Sequence, residues 1–200
     1  RDISDKITKN VEMLVKKNKI DRIRGFGKLI SQNEIAILDK DGKQIASLIA
    51  DNIIVATGAR PKSFSNIPVD STNIITSTEA MNLSEQPKEL IIIGAGAIGI
   101  EFAYFYSVLG TKVTVVEMLE NILPVEDVEV SKALEKNFKK RGIEIFTKTI
   151  VEKAEVKGKK VLVTINQNGQ KKEVSADKVL SAIGVTGNVE GFGLEELGIE

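Results

Sequence analysis

After residue 88, short apolar segments alternate with longer segments of mixed apolar and polar residues. Three short runs, 89–94, 112–117 and 143–147, are almost continuously apolar, which is typical of strands buried on both faces. The segments between them, 97–109 and 129–142, are long enough for helices. This order predicts an α/β fold with a parallel sheet covered on both faces.

The segment 97–109 is the first predicted helix of this region. It ends before Gly110, a residue type that is common just beyond a helix C-terminus. Four large apolar residues stand at helical spacing and are the candidates for its buried face: Ile98, Phe102, Phe105 and Leu109.

The pattern changes after residue 147 to short strands separated by turn signals. The pairs Lys157-Gly158 and Asn168-Gly169 predict hairpin turns. We therefore expect a small antiparallel meander that leads into one last parallel strand at 178–184.

The beginning of the chain follows the same plan as this later region. Both have a basic helix end, a strand, a hairpin ending in Gly-Lys-Gln or Gly-Gln-Lys, an Ala-Asp pair, and an apolar strand followed by a small residue and Gly58 or Gly184. Residues 1–58 thus resemble the tail of a unit whose complete copy occupies 89–184, and we expect a parent protein that extends upstream. The alternative is that short strands and Asp-Gly turns recur by chance in α/β proteins.

A glycine-rich turn, GAGAIG, joins the strand at 89–94 to the following helix. Gly94, Gly96 and Gly99 have the spacing and the strand-to-helix context of a dinucleotide-binding turn, in which the pyrophosphate rests on the helix N-terminus. Glu117 ends the next strand, where an acid accepts hydrogen bonds from the adenosine ribose. The alternatives are a tight turn without a ligand and a solvated carboxylate at a strand end.

The residues after Glu117 indicate which dinucleotide is bound. A carboxylate repels the 2′-phosphate of NADP, and the sequence MLENI supplies no Arg or Lys to neutralise it. We expect a preference for NAD, and we expect Glu117→Arg to shift it toward NADP without unfolding the protein.

Glu101 is predicted to lie in the first turn of the helix after the glycine turn. The helix dipole alone favours an acid there. Next to a pyrophosphate, however, the same acid needs a nearby cation, and no adjacent sequence supplies one.

The composition limits the kinds of catalytic and metal-binding chemistry that this chain can provide. The 200 residues include no cysteine and no histidine, and 28 basic residues balance 28 acidic ones. Disulfides, thiol catalysis, thiolate metal sites and histidine general bases are excluded, so we expect no metal and chemistry from a bound cofactor. Zero net charge and the lack of a long apolar run predict no nucleic-acid or membrane partner and a cytoplasmic location.

Four stretches together resemble the flavin-dependent pyridine nucleotide disulfide oxidoreductases, most closely the branch that oxidises dihydrolipoamide. They are IIIGAGAIGIEFA, VTVVEMLENILP, ADNIIVATGARP and GLEELGIE. The resemblance implies a Rossmann-like NAD-binding domain with an antiparallel meander at 71–187. It also implies that 1–70 is the C-terminal part of the first half of an FAD-binding domain, and that 188–200 begins the return to the FAD and central domains.

The resemblance also assigns site residues. It places Gly94, Gly96, Ile98, Gly99, Glu117, Val151 and Gly184 around NAD, and Thr57 and Gly58 on the FAD side. Ile98 would lie between nicotinamide and flavin, and Val151 in the adenine pocket. Glu101 would pair with a lysine outside this chain, as a supporting residue of the NAD site.

The reaction implied by the resemblance passes electrons from a dihydrolipoyl group through a cysteine pair and FAD to NAD. Its partners would be the dihydrolipoyl domain or acyltransferase core of 2-oxo acid dehydrogenase complexes, and the parent would be a homodimer. Because this chain has no cysteine, we expect it to bind NAD with little or no catalysis. The alternatives are a mercuric, glutathione or coenzyme disulfide reductase, and a non-catalytic NAD-sensing module.

Overall fold

The computed structural model describes residues 2–199. Arg1 and Glu200, the outer ends of two predicted segments, lie outside the described residues. The chain divides into two compact units, one formed by Arg1–Gly58 with Asn188–Glu200 and the other by Ala59–Gly187. The second unit starts at Ala59 instead of residue 71 and ends at the same residue as the predicted NAD-binding domain.

Helices and strands follow each other along the chain as follows. The helices are α1 Asp2–Lys17, α2 Ser77–Ala80, α3 Ala97–Val108, α4 Val128–Lys140 and a short 3₁₀ helix Glu195–Leu197. The strands are β1 Phe26–Leu29, β2 Glu34–Leu38, β3 Gln44–Ile49, β4 Ala59–Pro61, β5 Ile74–Ile75, β6 Glu89–Ile93, β7 Lys112–Val116, β8 Glu144–Phe146, β9 Thr149–Lys157, β10 Lys160–Gln167, β11 Gln170–Ala176, β12 Lys178–Ser181 and β13 Val185–Gly187. Within residues 2–199, no helix is both long enough and apolar enough to cross a membrane.

A five-stranded parallel sheet forms the centre of the second unit, in the order β5-β12-β6-β7-β8. Alternate residues of β6 point to opposite faces: Leu90 and Ile92 pack on the helices, and Ile91 and Ile93 pack on the antiparallel strands. Both faces are therefore covered, which explains the continuous apolar run and confirms the predicted α/β fold.

Helix α3 is buried through a different face from the predicted one. Gly99, Ile100, Ala103 and Tyr106 are buried, whereas Phe105 and Leu109 are half exposed. Ile98 and Phe102 are only partly buried at the edge of this core. The prediction was wrong for Phe105 and Leu109 because α3 is apolar on nearly all sides, so the spacing of large residues does not identify one face.

The antiparallel sheet β11-β10-β9 covers the other face of the parallel sheet. Its second turn is the predicted Asn168-Gly169 pair, and both residues have positive φ, 53° and 84°, as a two-residue hairpin turn of this kind requires. The first turn lies one residue later than predicted, at 158–159, with Gly158 at φ 63°.

A charged cluster joins β10 to the starting edge of the parallel sheet. The Lys160 ammonium donates to Glu89 Oε2 at 2.7 Å and lies 2.9 Å from Asp177 Oδ1. The other oxygen of Asp177 accepts the backbone N–H groups of Lys88 and Glu89, each at 2.9 Å. The cluster therefore fixes the meander to the edge where β6 and β12 begin.

The first unit contains α1 and the antiparallel sheet β1-β2-β3. The end of the chain returns to this sheet: Leu29 N donates to Phe192 O at 2.8 Å, and the rings of Phe26 and Phe192 stack with centroids 4.8 Å apart. The predicted apolar strand before Gly58 is absent, and Ile54 is 91% exposed. A strand needs a hydrogen-bonded neighbour, and no described strand lies beside this segment.

Compared with each other, the two units confirm most of the repeat. Each has a helix, α1 or α4, followed by a three-stranded antiparallel meander. Each then runs to a glycine with positive φ, 77° at Gly58 and 104° at Gly184. Among the described residues, two strands form only in the second copy: β8 between the helix and the meander, and β12 before the glycine, which lies between β5 and β6.

Candidate functional site

A cleft of about 620 Å³ opens at the carboxyl ends of β6, β7 and β12. Its floor comes from Ile93, Val116 and Ala182. Ligands of open α/β sheets bind at this edge, outside the carboxyl ends of the strands. All of the lining residues belong to the second unit.

Gly94 makes the sharp turn from β6 into the cleft. Its φ is 98°, a conformation that other residues rarely adopt, and a β-carbon here would lie 2.4 Å from Ala182 O. The end of β12 therefore approaches the backbone of the turn too closely for any side chain. Gly94 is required by the fold itself.

Gly99 and Gly96 have opposite surroundings. A β-carbon on Gly99 would lie 2.0 Å from Gly94 O, so this glycine lets α3 pack on the turn. Gly96 is the N-cap of α3 with an ordinary φ of −72°, and a β-carbon there would meet no atom within 4 Å. Neither strain nor packing requires a glycine here, although glycine is also a favoured N-cap residue, and the open space leaves the backbone at the helix N-terminus accessible.

Glu117 follows β7 and is 6% exposed. Its Oε2 accepts the N–H of Ala95 at 2.7 Å, and its Oε1 accepts the N–H of Leu119 at 2.8 Å. The alternative of a solvated strand end is therefore wrong. Each carboxylate oxygen has a second lone pair, so Glu117 can still accept hydrogen bonds from a ligand hydroxyl.

The electrostatic potential in the cleft depends on one side chain and one helix terminus. Glu117 is the only ionisable side chain among the described residues that line it. The compensating positive potential comes from the N-terminus of α3, whose first turn carries no acid. None of the described residues that line the cleft is a lysine or an arginine.

One wall of the cleft includes residues that no sequence pattern predicted. Val151, the predicted adenine-pocket residue, is buried, and its carbonyl accepts Asn66 Nδ2 at 3.0 Å. Asn66 and Ile67 line the cleft beside it, and Phe64, which also lines the cleft, lies in the chain between them and Lys62, whose backbone N–H donates to Gly184 O at 2.9 Å. They belong to a connection without helical or alternating periodicity, so only the folded chain places them here.

The remaining predicted site residues are distributed unevenly. Ile98 and Gly184 line the cleft. Glu101 is the fifth residue of α3, not part of its first turn, and is exposed on a groove between α3 and α4. It forms no ion pair with any residue of 2–199.

The two residues predicted on the FAD side, Thr57 and Gly58, lie in the first unit. There, Gly58 O accepts Asn188 N at 3.0 Å, and Thr57 O accepts Asn188 Nδ2 at 3.2 Å.

Comparison with known proteins agrees with this architecture. The profile of the pyridine nucleotide-disulphide oxidoreductases matches residues 2–200. The chain belongs to this family. Its similarity to a dihydrolipoyl dehydrogenase of Mycobacterium leprae is 42% identity over 201 residues, which is all of this chain and 43% of that protein.

Solved structures of the family have the same fold. LpdA from Mycobacterium tuberculosis superposes with a TM-score of 0.87 at 30% identity, over 99% of this chain and 44% of LpdA. The HOCl-induced flavoprotein disulfide reductase RclA from Escherichia coli gives 0.78 at 26% identity, over 96% of this chain and 42% of RclA. The chain thus spans less than half the length of these relatives.

Proposed function

We propose that the cleft of Ala59–Gly187 binds NAD, and that the chain is the NAD-binding part of a dihydrolipoyl dehydrogenase. The observation that supports this most directly is the open space above Gly96. A glycine that neither strain nor packing requires stands at a helix N-terminus, between a turn that only glycine can form and a buried carboxylate.

The residues of the cleft fit the parts of a dinucleotide. The backbone at Gly96 and the N-terminus of α3 would hold the pyrophosphate. Glu117 would accept hydrogen bonds from the adenosine ribose, and Val151 would contact the adenine. Ile98 and Gly184 would lie beside the nicotinamide, which supplies a carbon that accepts a hydride.

The charge of the cleft supports NAD over NADP. A 2′-phosphate would meet the Glu117 carboxylate without a lysine or arginine among the described lining residues. Juxtaposed like charges in a partly desolvated site cost several kcal/mol. We therefore expect NADPH to bind at least about tenfold more weakly than NADH.

Isothermal titration calorimetry of the 200-residue chain with NADH and with NADPH tests the proposal. Binding of NADH at one site, with clearly weaker NADPH, supports it. Equal binding of both would remove Glu117 as the selecting residue. Binding of neither would overturn the assignment of the cleft.

The remaining parts of the proposal rest on the family resemblance. Thr57 and Gly58 would lie on the FAD side, and Glu101 would pair with a lysine outside this chain. The parent would be a cytoplasmic homodimer that serves the dihydrolipoyl domain or acyltransferase core of a 2-oxo acid dehydrogenase complex. A functional test is oxidation of dihydrolipoamide by the full-length protein with NAD, compared with mercuric ion, glutathione disulfide and coenzyme A disulfide as substrates with NADPH.

A further inference from the structure

The ring of Phe64 lies at the cleft with most of its surface uncovered. Phe64 is 55% exposed, and it is the only aromatic residue among the described residues that line the cleft. No other aromatic ring or cation of residues 2–199 contacts it. A large apolar ring in this position has surface available to a planar ligand.

The backbone around Phe64 is held in place from several directions. Phe64 and Ile67 form an antiparallel bridge, and the Ile67 side chain is buried in the core under the meander. Between them, Asn66 donates to Val151 O at 3.0 Å and accepts from Ala154 N at 3.0 Å. The ring therefore extends from a fixed turn and would lose little backbone freedom on binding a ligand.

Strand order indicates which half of a dinucleotide passes this ring. Lys62, two residues before Phe64, donates its backbone N–H to Gly184 O at 2.9 Å. Gly184 follows β12, which lies on one side of β6, whereas Glu117 follows β7 on the other side. With the pyrophosphate over Gly96 and the adenosine toward Glu117, the nicotinamide half must extend toward β12.

Phe64 also lies on the opposite wall from the glycine turn. Ile67 and Val151 pack in the core under the meander, whereas Ala95 and Ile100 pack in the core under the helices. A dinucleotide held at the N-terminus of α3 would therefore have the turn on one side and the 64–67 segment on the other.

The geometry points to Phe64 as a ligand-binding residue, whose ring contacts the nicotinamide half of the bound dinucleotide. This inference rests on the proposed function of the cleft. It adds a residue from a connecting segment to a site otherwise built from strand ends and the start of α3. It also separates contacts made by the two halves of the ligand.

Calorimetric titration of Phe64→Ala with NAD⁺ and with ADP tests the inference. ADP has the adenosine and pyrophosphate but lacks the nicotinamide half. We expect Phe64→Ala to weaken NAD⁺ binding about tenfold, because an aromatic contact and the burial of its ring are lost. ADP binding should be unchanged, and so should the thermal midpoint, because the ring is mostly exposed.

A fluorescence measurement examines the same contact directly. The chain has no tryptophan, so Phe64→Trp introduces a single indole at the cleft. Oxidised nicotinamide quenches indole emission on contact, and we expect NAD⁺ to quench Phe64→Trp while ADP does not. The matched control is Tyr104→Trp, at a half-exposed position in the groove between α3 and α4, whose emission should be unaffected by NAD⁺.

Other outcomes are equally informative. Unchanged NAD⁺ affinity in Phe64→Ala, or equal weakening of NAD⁺ and ADP, would overturn the inference while the proposed function stands. Equal quenching of Phe64→Trp by both ligands would overturn it as well. If the unmodified chain binds neither NAD⁺ nor ADP, the proposed function fails and the inference fails with it.

Discussion

The Glu117 carboxylate accepts the backbone N–H of Ala95 at 2.7 Å, and so joins the end of β7 to the glycine turn after β6. Its second oxygen accepts Leu119 N at 2.8 Å. A single buried side chain therefore holds both backbone segments that a dinucleotide would touch. The site is organised before any ligand arrives, which reduces the ordering cost of binding.

Replacing Glu117 should affect stability as well as binding. In Glu117→Gln, the amide oxygen can accept one of the two N–H groups and the amide nitrogen can accept neither. We expect a loss of about 1–3 kcal/mol in the free energy of unfolding, because one backbone donor becomes unsatisfied in a buried position. NADH affinity should fall about tenfold as the charged acceptor for the ribose is lost.

Glu117→Arg should destabilise the fold more than Glu117→Gln does. The sequence alone predicted that this substitution would not unfold the protein. A guanidinium has no acceptor for either backbone N–H, and the position is buried. Urea unfolding of the three proteins measures the effect. If Glu117→Arg were as stable as the unmodified chain, the two hydrogen bonds would not contribute to the fold.

Gly96→Ala should weaken NADH binding with little effect on the stability of the fold. A β-carbon at Gly96 meets nothing within 4 Å and the φ of −72° suits alanine. The thermal midpoint should therefore change by at most a few degrees, because the reduced entropy of the unfolded chain opposes the weaker N-capping by alanine. The methyl group would occupy the approach to the helix N-terminus, so we expect NADH binding to weaken by more than about tenfold.

Gly99→Ala is the matched comparison on the same turn. Its β-carbon would lie 2.0 Å from Gly94 O, so the helix must move away from the turn. We expect a clear loss of thermal stability together with a loss of binding. If both variants lost stability equally, the space above Gly96 would not be free for a ligand.

The cluster around Lys160 should make stability depend on pH. The hydrogen bond from Lys160 lowers the pKa of both Glu89 and Asp177, and the hydrogen bond to Glu89 is the main cause that raises the pKa of Lys160. The contribution of the two carboxylates is present above their unfolded pKa values, about 4. It is lost as the pH falls through their lowered folded values, while the lysine contribution persists until strongly basic pH.

Lys160→Met should lower the thermal midpoint at neutral pH by a few degrees and reduce the difference between neutral pH and pH 3. The change is small because Lys160 is half exposed and its ion pairs are screened by water. NADH affinity should stay the same, since the cluster lies at the opposite edge of the sheet from the cleft. An unchanged acid sensitivity would show that other carboxylates control it.

Glu101→Gln should leave NADH affinity unchanged within about twofold in this chain. Glu101 lies on the groove between α3 and α4 and does not line the cleft; charges across water-filled distances interact weakly. Calorimetry on the Glu101 and Glu117 variants under one set of conditions compares the two acids. A marked change in Glu101→Gln would mean that its charge acts on the bound pyrophosphate.

Sequence patterns predicted the parallel sheet, its helices and the meander because their apolar positions repeat with the period of the element. The patterns failed where the spacing of apolar residues identifies neither the buried face of a helix nor the pairing partner of a strand. In α3, residues on nearly every side are apolar, so Phe105 and Leu109 could not be distinguished from buried Tyr106. The run before Gly58 resembles a strand, but strand formation also depends on a pairing neighbour.

By itself, the sequence determined the fold class, the glycine turn and the acid that follows β7, because these depend on local spacing along one strand-turn-helix unit. Only the tertiary structure decided the burial of Glu117, the different surroundings of Gly96 and Gly99, and the wall that contains Phe64. These features arise where segments distant in the chain meet. Their contacts depend on three-dimensional packing, which no local pattern of residues encodes.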